Sequence, residues 1–282
     1  MGERFSAFTF VDRITDVAPG KRVRGTFHVP AGIREFPAAL VAEAVGQLAA
    51  WASMAHLGFR RRPVAGLARD TRFLGAVRPG DTLDLEAELE SCTDDDVAYA
   101  GRAAVGGRPV IALEQCVGPM LPAEEFDSPD ALRRDYEVLC GTGAPSDRFP
   151  GLPEFDVARV ESIPGVSVKA VLRVPESAAF FNDHFPRRPV FPATLLLDNQ
   201  IRLAVQLARE AMGPSGGADL AVSRVLDVKV RMFIPPGQLL GIGAERIAGT
   251  SGPYTARLSA RANDKPVATA RVEIGAQRSD RA

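Results

Sequence analysis

The sequence contains little cysteine and little histidine, with three residues of each among 282. Cys92, Cys116 and Cys140 are far apart, and neither they nor the histidines show the spacing of a metal-binding motif. The sequence therefore predicts neither a metal site nor a disulfide framework. A reducing, cytoplasmic environment is the expectation for such cysteine usage.

The sequence also lacks an excess of either charge, since its formal net charge is -1. No broad basic field is present to attract nucleic acid. The first ten residues show no basic stretch followed by an apolar run, so no signal peptide is predicted. The longest apolar stretch, Phe36–Phe59, includes Glu43, Gln47 and His56, which is typical of a buried core helix rather than a membrane span.

The chain contains an internal repeat, as its length of two average domains allows. Two segments of helical period both open with Phe-Pro-Ala, at Phe36–Ala52 and Phe191–Ala208. An alternating strand that ends in Val-Pro precedes each of them, at Arg22–Pro30 and Ser167–Pro175. After each come a strand with a Pro-Gly turn and two long alternating segments. Val-Gly-Gly-Arg-Pro and Ala-Asn-Asp-Lys-Pro lie within the second of these segments and predict hairpin turns at matching places in the two copies.

The pattern thus predicts a strand, a long helix and about four antiparallel strands in each copy, which together are an α+β fold. Helix and sheet each have an apolar side, so each must bury it against the other. We predict a tandem hot-dog fold, in which a sheet wraps a central helix in residues 1–122 and again in residues 157–282. Residues 123–156 are a predicted linker with a short helix, capped by Ser128, with Pro129 in its first turn and ended by Gly141.

The second copy has about ten extra residues between its first strand and its helix. The segment HFPRRPVFPATLLLDNQ, His184–Gln200, resembles the signature of the 3-hydroxyacyl-acyl-carrier-protein dehydratases of bacterial fatty acid synthesis. That signature begins with His-Phe-Pro, continues after two variable residues with Pro-Val or a similar pair, and then has Pro-Gly at the start of a helix. The helix carries Glu or Asp fourteen residues after the histidine, and in this sequence that residue is Asp198. The sequence departs from it at Ala193, where the family has Gly, and at Asp183, where the family usually has a small residue. Asp183 is expected either to orient His184 or to face solvent.

The resemblance implies a particular pairing of catalytic residues. In that family two subunits pair, and each site takes its histidine from one subunit and its acid from the other. In a fused chain, His184 of the second copy would work with the acid of the first copy, and the residue that matches Asp198 there is Glu43. Because the first copy has no histidine loop, one site per chain is expected.

The residue patterns favour the same asymmetry. The helix that carries Glu43 is apolar almost all round and has no Lys or Arg between Pro37 and Gly58, so its carboxyl group should be buried and need a partner. Asp198 instead shares a helix face with Arg202, which can pair with it at i,i+4. Asp198 remains the alternative catalytic acid.

Loss of water from a 3-hydroxyacyl thioester requires a base that takes a proton from C2 and an acid that protonates the departing hydroxyl. His184 suits the base near neutral pH, and Glu43 the acid, because burial favours the neutral form of a carboxyl group. Backbone N–H groups of Ala193 and Thr194, at the start of the second long helix, are expected to stabilise the charge on the thioester oxygen. No cofactor is expected, since the carrier protein's phosphopantetheine holds the substrate.

The resemblance further implies an acidic acyl carrier protein as partner. Arginines beside the histidine loop and after the first helix are candidates to dock it, with a solvated basic turn as the alternative: Arg187, Arg188, Arg60, Arg61 and Arg62. Aromatic residues are candidates to line an acyl tunnel, with plain core as the alternative: Phe181, Phe185 and Phe191, together with Trp51 and Phe180.

Other functions stay open at this point. Many hot-dog proteins are acyl thioesterases, although they do not need a His-Phe-Pro loop. Hydratases that act on coenzyme A thioesters usually carry Asp-x-Asn-x-x-His, which is absent. A non-catalytic partner that binds acyl chains is a third alternative. The sequence leaves open the acyl chain length, the pathway (fatty acid, polyketide or polyene), a subsequent isomerisation, and further dimerisation of the chain.

Overall fold

The elements follow one another in the order that the repeat predicts. The computed structural model describes residues 5–213, 220–248 and 252–276. In these ranges the first copy and the linker contain β1 (Arg13–Ala18), β2 (Arg22–His28), α1 (Ala38–His56), β3 (Arg61–Pro63), β4 (Leu67–Phe73), β5 (Thr82–Cys92), β6 (Asp96–Val105), β7 (Arg108–Pro122) and α2 (Pro129–Cys140). The second copy contains β8 (Asp156–Ile163), β9 (Ser167–Arg173), α3 (Ala193–Met212), β10 (Leu220–Val230), β11 (Leu239–Arg246), β12 (Tyr254–Ala262) and β13 (Lys265–Ala276).

The two long helices, α1 and α3, begin directly after the Phe-Pro pairs. Pro37 and Pro192 are the N-cap residues of these helices. The sequence predicts them in the first turn, which begins one position later. Proline suits this boundary because it has no N–H that would need a partner. Each helix packs against the sheet of its own copy, and the two helices also contact each other. The predicted α+β fold, with one long helix against an antiparallel sheet in each copy, is confirmed.

The sheets of the two copies join into one. In the described residues the strand order is β1-β2-β5-β6-β7-β4-β10-β13-β12-β11-β9-β8, and β3 pairs with β7 beside this path. The joint is the antiparallel pair of β4 and β10, in which Thr71 lies opposite Val225. The joint brings the start of α3 close to α1, so residues of both copies can share a site.

The two predicted hairpin turns lie at matching places. Val105 pairs with Arg108 across one turn, and Ala262 pairs with Lys265 across the other. The central residues have positive φ angles, 55° and 80° for the two glycines of the first turn and 46° and 61° for the Asn-Asp pair of the second. Two positive φ angles are typical of the type I′ turn, whose twist matches that of the strands.

The linker contains the predicted short helix. Ser128 caps α2 through its hydroxyl, which accepts from the Ala131 N–H at 3.4 Å, and Pro129 follows in the first turn. Gly141 ends the helix. The exact limits of the two repeats stay a prediction.

Helix α1 is long and apolar enough to cross a membrane by length and composition alone. Within its most apolar window, however, 56% of the residues are buried inside the protein. Such burial is typical of a core helix, which is what the sequence predicts for this segment.

Candidate active site

A cavity of about 230 Å³ lies between α1, the strands of the first copy and the start of α3. Its lining includes His184 and Thr194 from the second copy and Glu43 from the first. The structure thus brings together, in one cavity, the histidine and the acid that the sequence analysis assigns to opposite copies. Phe185, Ala193 and Trp51 also lie in its wall.

His184 is on the loop that precedes α3. Its Nδ1 lies 2.8 Å from the carbonyl oxygen of Val190. A carbonyl oxygen only accepts, so Nδ1 carries the proton and Nε2 is left to accept one. The Phe185 ring stacks on the imidazole at 4.1 Å between centroids, and the Phe8 ring meets it edge-on at 5.6 Å.

The surroundings of His184 favour the neutral imidazole. Burial lowers the pKa of His184 below its ordinary value, and the nearby Arg62 guanidinium acts in the same direction. The Glu43 carboxylate and the hydrogen bond to Val190 oppose this effect on the pKa. A histidine that is neutral near pH 7 and is held through Nδ1 is equipped to act as a base through Nε2.

Hydrogen bonds hold the Glu43 carboxyl group on both of its oxygens. The Thr194 hydroxyl donates to Oε2 at 2.8 Å, and the Gln47 amide donates to Oε1 at 3.0 Å. Gln47 is itself fixed, because its amide also donates to the Phe8 carbonyl at 3.1 Å and its oxygen accepts from the Phe10 N–H at 2.8 Å. Glu43 is half-buried at the cavity wall, so the full burial that the apolar helix predicts is wrong: its side of α1 faces the cavity.

The start of α3 borders the cavity. Ala193 and Thr194 both line it. The N–H groups of the two following residues, Leu195 and Leu196, bond to the Pro192 carbonyl at 3.1 and 3.2 Å. The first N–H groups of a helix have no partner within the helix and lie at the positive end of its dipole. Those of Ala193 and Thr194 are therefore suited to bind a developing negative charge.

Asp198 lies elsewhere and is paired. Its side chain is not part of the cavity lining, and the residue is 7% exposed. Arg202 donates to its Oδ2 at 2.8 Å, as the i,i+4 spacing predicts, and also to Glu35 at 2.7 Å. Burial raises the pKa of Asp198, and Arg202 opposes this. Glu35 belongs to the short segment of the first copy that stands where the second copy has its histidine loop, so this position has an ion pair instead of a histidine.

Thr194 is a residue whose hydroxyl the sequence did not single out, and its removal is testable. We expect Thr194→Val to lower kcat for the reaction of this site up to about ten-fold, because it removes one hydrogen bond to the Glu43 carboxyl group, worth about 0.5–1.5 kcal/mol, while the backbone amide donor is retained. Steady-state kinetics at constant pH would measure this. Thr194→Ser keeps the hydroxyl and should recover most of the rate; equal losses in both variants would contradict the role of the hydroxyl.

Of the aromatic residues proposed for an acyl tunnel, Phe185 and Trp51 line the cavity. Phe181 and Phe191 do not: they are 7% and 1% exposed and pack in the core with Phe180, so their assignment to the tunnel is wrong. The sequence missed other lining residues, among them Met54, Val97, Tyr99, Leu113 and Leu197. Alternation shows which face of a strand is buried, whereas the packing of α1 decides which part of that face borders a cavity.

Four of the five proposed docking arginines are at the surface. Arg60, Arg187 and Arg188 are exposed and Arg61 is half-exposed. Arg62 differs: its side chain is 16% exposed, its guanidinium lies 4.2 Å from the centre of the Phe185 ring, and it also lies 4.0 Å from Asp127. Arg62 belongs to the wall of the cavity, so its assignment to surface docking is wrong.

The Asp183 carboxylate binds the backbone that precedes β1 and not the His184 ring. It accepts from the backbone N–H groups of Ser6, Ala7 and Phe8 at 3.2, 2.6 and 2.7 Å. Asp183 therefore does not simply face solvent, and any effect of its carboxylate on the orientation of His184 is indirect. The residue anchors the start of the chain beside the histidine loop.

Sequence comparison finds dehydratases. A family model described as ApeI-like, ApeI dehydratase, matches residues 161–270, in the copy that carries the histidine loop. The chain is 32% identical over 124 residues to a 3-hydroxyacyl-(acyl-carrier-protein) dehydratase FabZ of Novosphingobium aromaticivorans, which covers 43% of the chain and 77% of that protein. It is 35% identical over 100 residues to the FabZ of Zymomonas mobilis, which covers 35% of the chain and 61% of that protein.

Structural comparison covers both copies. A putative oleoyl thioesterase of Lactobacillus plantarum matches with a TM-score of 0.60 at 9% identity, over 92% of this chain and 97% of that one. A hot-dog protein of unknown function from Alicyclobacillus acidocaldarius matches with a TM-score of 0.53 at 12% identity, over 93% of this chain and 96% of that one. At such identities the likeness shows the fold alone, and it confirms the hot-dog architecture.

Proposed function

Because the chain belongs to the 3-hydroxyacyl-(acyl-carrier-protein) dehydratase family, we propose that it removes water from a 3-hydroxyacyl thioester carried by an acyl carrier protein and forms the trans-2-enoyl thioester. The observation that carries this proposal is the presence of His184 and Glu43, one from each copy, in a single cavity. The biosynthesis of fatty acids, polyketides or polyenes is the proposed setting, and the cytoplasm the proposed location.

The proposed reaction uses the two side chains in succession. Nε2 of His184 takes the proton from C2 of the substrate, and the electron pair of the C2–H bond forms the C2–C3 double bond. The C3–O bond breaks, and Glu43 gives its proton to the departing hydroxyl, which leaves as water. Transfer of the proton from the imidazolium to the carboxylate, directly or through solvent, then restores both groups for the next cycle.

Backbone amides complete the proposed site. Removal of the C2 proton places negative charge on the thioester oxygen, and the N–H groups of Ala193 and Thr194 are proposed to bind it. Ala193 replaces the glycine of related sequences, and an alanine retains the amide donor. Each step uses side chains and amides of the chain, so no cofactor enters the proposal apart from the phosphopantetheine that carries the substrate.

The proposed carrier protein would dock beside the histidine loop. Arg187 and Arg188 are exposed there, although Arg188 is paired with Glu125 at 3.1 Å. We expect the double variant Arg187→Glu, Arg188→Glu to raise KM about ten-fold for a substrate on carrier protein, because charge reversal repels an acidic partner. The rate with an N-acetylcysteamine thioester, which has no carrier, should not change.

Arg257 is an exposed arginine on β12, and Arg257→Glu provides the matched control. It should leave the rates with the carrier-protein substrate and with the N-acetylcysteamine thioester unchanged. An equal loss with both substrates in the double variant would contradict docking at this loop. It would show instead that the variant disturbs the site.

The function is tested by following the mass of a 3-hydroxyacyl carrier protein incubated with the purified chain. Loss of one water per acyl group, with the carrier thioester intact, is the expected result for acyl chains of at least one length. Appearance of the free acid would point to a thioesterase. No change in mass, combined with retained binding of the acyl carrier protein, would point to a non-catalytic partner. Either of these two results would contradict the proposal.

A further inference from the structure

The start of the described chain runs across the candidate site. We call Ser6–Phe10 the N-terminal strap. At one end, the Asp183 carboxylate accepts from the N–H groups of Ser6, Ala7 and Phe8, and the Ser6 hydroxyl lies 3.3 Å from its Oδ2. Several donors converge on one carboxylate, and charge-assisted bonds of this kind are among the stronger hydrogen bonds in proteins. The strap is therefore fixed to the residue that directly precedes His184.

The other end of the strap is held by the linker. Arg148 donates from Nε to the Thr9 hydroxyl at 2.8 Å, and from Nη2 to the carbonyls of Thr9 and Val11, each at 3.0 Å. Its guanidinium also forms an ion pair with Asp12, and its side chain is only 6% exposed. With an anchor at each end, the strap has one defined path over the site.

The strap contacts both halves of the catalytic pair. The Phe8 ring lies against the His184 imidazole. The Phe8 carbonyl and the Phe10 N–H bind the Gln47 amide, which in turn donates to Glu43. Glu43 lies on α1 and His184 on a loop of the second copy, so the strap is one element that joins the two.

We propose that the N-terminal strap, anchored by Asp183, is a positioning element for the reaction, which holds the His184 ring and the Glu43 carboxyl group in a fixed mutual geometry. This inference rests on the proposed function. Asp183 acts through the strap, not on the substrate. A displacement of about 1 Å in a catalytic group can cost about a hundred-fold in rate, so release of the strap should affect the chemical step.

Asp183→Asn is the primary test variant. It is nearly isosteric, but it removes the charge and leaves one acceptor oxygen in place of two, so every hydrogen bond from the strap to this residue is weakened or lost and the strap should loosen. We expect kcat to fall ten- to a hundred-fold while KM changes less than about two-fold. Hydrogen exchange at the Ala7 and Phe8 amides should become faster, because a neutral amide oxygen is a weaker acceptor than the carboxylate. Asp183→Glu, which keeps the carboxylate, should retain more activity than Asp183→Asn.

Two further variants separate positioning from loss of fold. Asp156→Asn changes an exposed aspartate at the start of β8 and should leave kcat and exchange at the strap unchanged. Phe8→Leu keeps an apolar side chain but removes the ring from His184, and it should lower kcat by less than Asp183→Asn does. A fall in melting temperature with unchanged kcat per folded molecule would overturn the proposal.

The His184 pKa, measured by NMR, tests the strap proposal without any need for turnover. The chain has three histidines, so the NMR signal of His184 can be assigned by its loss in His184→Gln. Release of the strap admits water to the ring and should raise the His184 pKa in Asp183→Asn. Loss of a negative charge alone would lower this pKa, and the other charged groups that face the ring, Glu43 and Arg62, are retained. An unchanged or lowered His184 pKa in Asp183→Asn would overturn the strap proposal, even if the protein proves to have another activity. A raised His184 pKa, combined with no dehydration by the unmodified chain, would support the strap proposal and contradict the proposed dehydratase function.

Discussion

His184→Ala is expected to lower kcat for dehydration by about a thousand-fold, which lies within the range of about 10²–10⁴ that general acid–base groups contribute. The imidazole is the group with a free nitrogen in the cavity wall beside Glu43, and Val190 fixes its orientation through Nδ1. Loss of water from a 3-hydroxyacyl carrier protein, followed by mass under single-turnover conditions, measures the chemical step without interference from product release.

The matched control for this variant is His56→Ala. His56 is the last residue of α1, and it is exposed. Its replacement should leave the rate within about two-fold of the unmodified rate, which agrees with the range for changes at exposed positions. A His184→Ala variant that folds and retains more than a tenth of the activity would contradict the role of His184 as base.

A second large loss of kcat is expected for Glu43→Gln but not for Asp198→Asn, and this difference distinguishes the two candidate acids. Glu43→Gln should lower kcat at least a hundred-fold, because glutamine keeps the size and shape of the side chain but has no acidic proton to give to the departing hydroxyl. Asp198→Asn should leave kcat within about two-fold. Asp198 is bonded to Arg202 and is not part of the cavity lining, so its replacement removes an ion pair and no reacting group.

The cost of Asp198→Asn should appear in stability instead. Asp198 is buried, but Arg202 is half-exposed and stays paired with Glu35, and burial already disfavours the ionised form of Asp198, so we expect the free energy of unfolding to fall by no more than about 1 kcal/mol. Urea unfolding of both variants would measure this. The reverse pattern, with activity lost in Asp198→Asn and kept in Glu43→Gln, would place the acid in the same copy as His184 and contradict the cross-repeat site.

Much of the architecture could be predicted because it depends on local signals. The Phe-Pro pairs mark the starts of α1 and α3, and the hairpin turns between β6 and β7 and between β12 and β13 lie where Gly-Gly and Asn-Asp predict them. The internal repeat, together with the family motif, was enough to predict that the loop of one copy meets the helix of the other. The helix starts and turns rest on patterns within a few residues, and the cross-repeat site rests on the likeness of two segments in opposite halves of the chain.

The contacts that the sequence did not predict join distant parts of the chain. Asp183 binds backbone N–H groups about 175 residues earlier, and a backbone donor has no signature in the sequence. Phe181 and Phe191 show that an aromatic residue near a functional loop can belong to the core. Arg62 shows that an arginine in a basic run can be partly buried in a cavity wall, where it lies against an aromatic ring and near an aspartate.

A double variant tests whether His184 and Glu43 act as one catalytic unit across the two copies. Residues that act as a unit have strongly non-additive effects. We therefore predict that His184→Ala, Glu43→Gln dehydrates a 3-hydroxyacyl carrier protein no more slowly than His184→Ala alone, as measured by intact mass in single-turnover reactions. A double variant in which the two losses multiply would show that the residues act independently, and it would contradict the account.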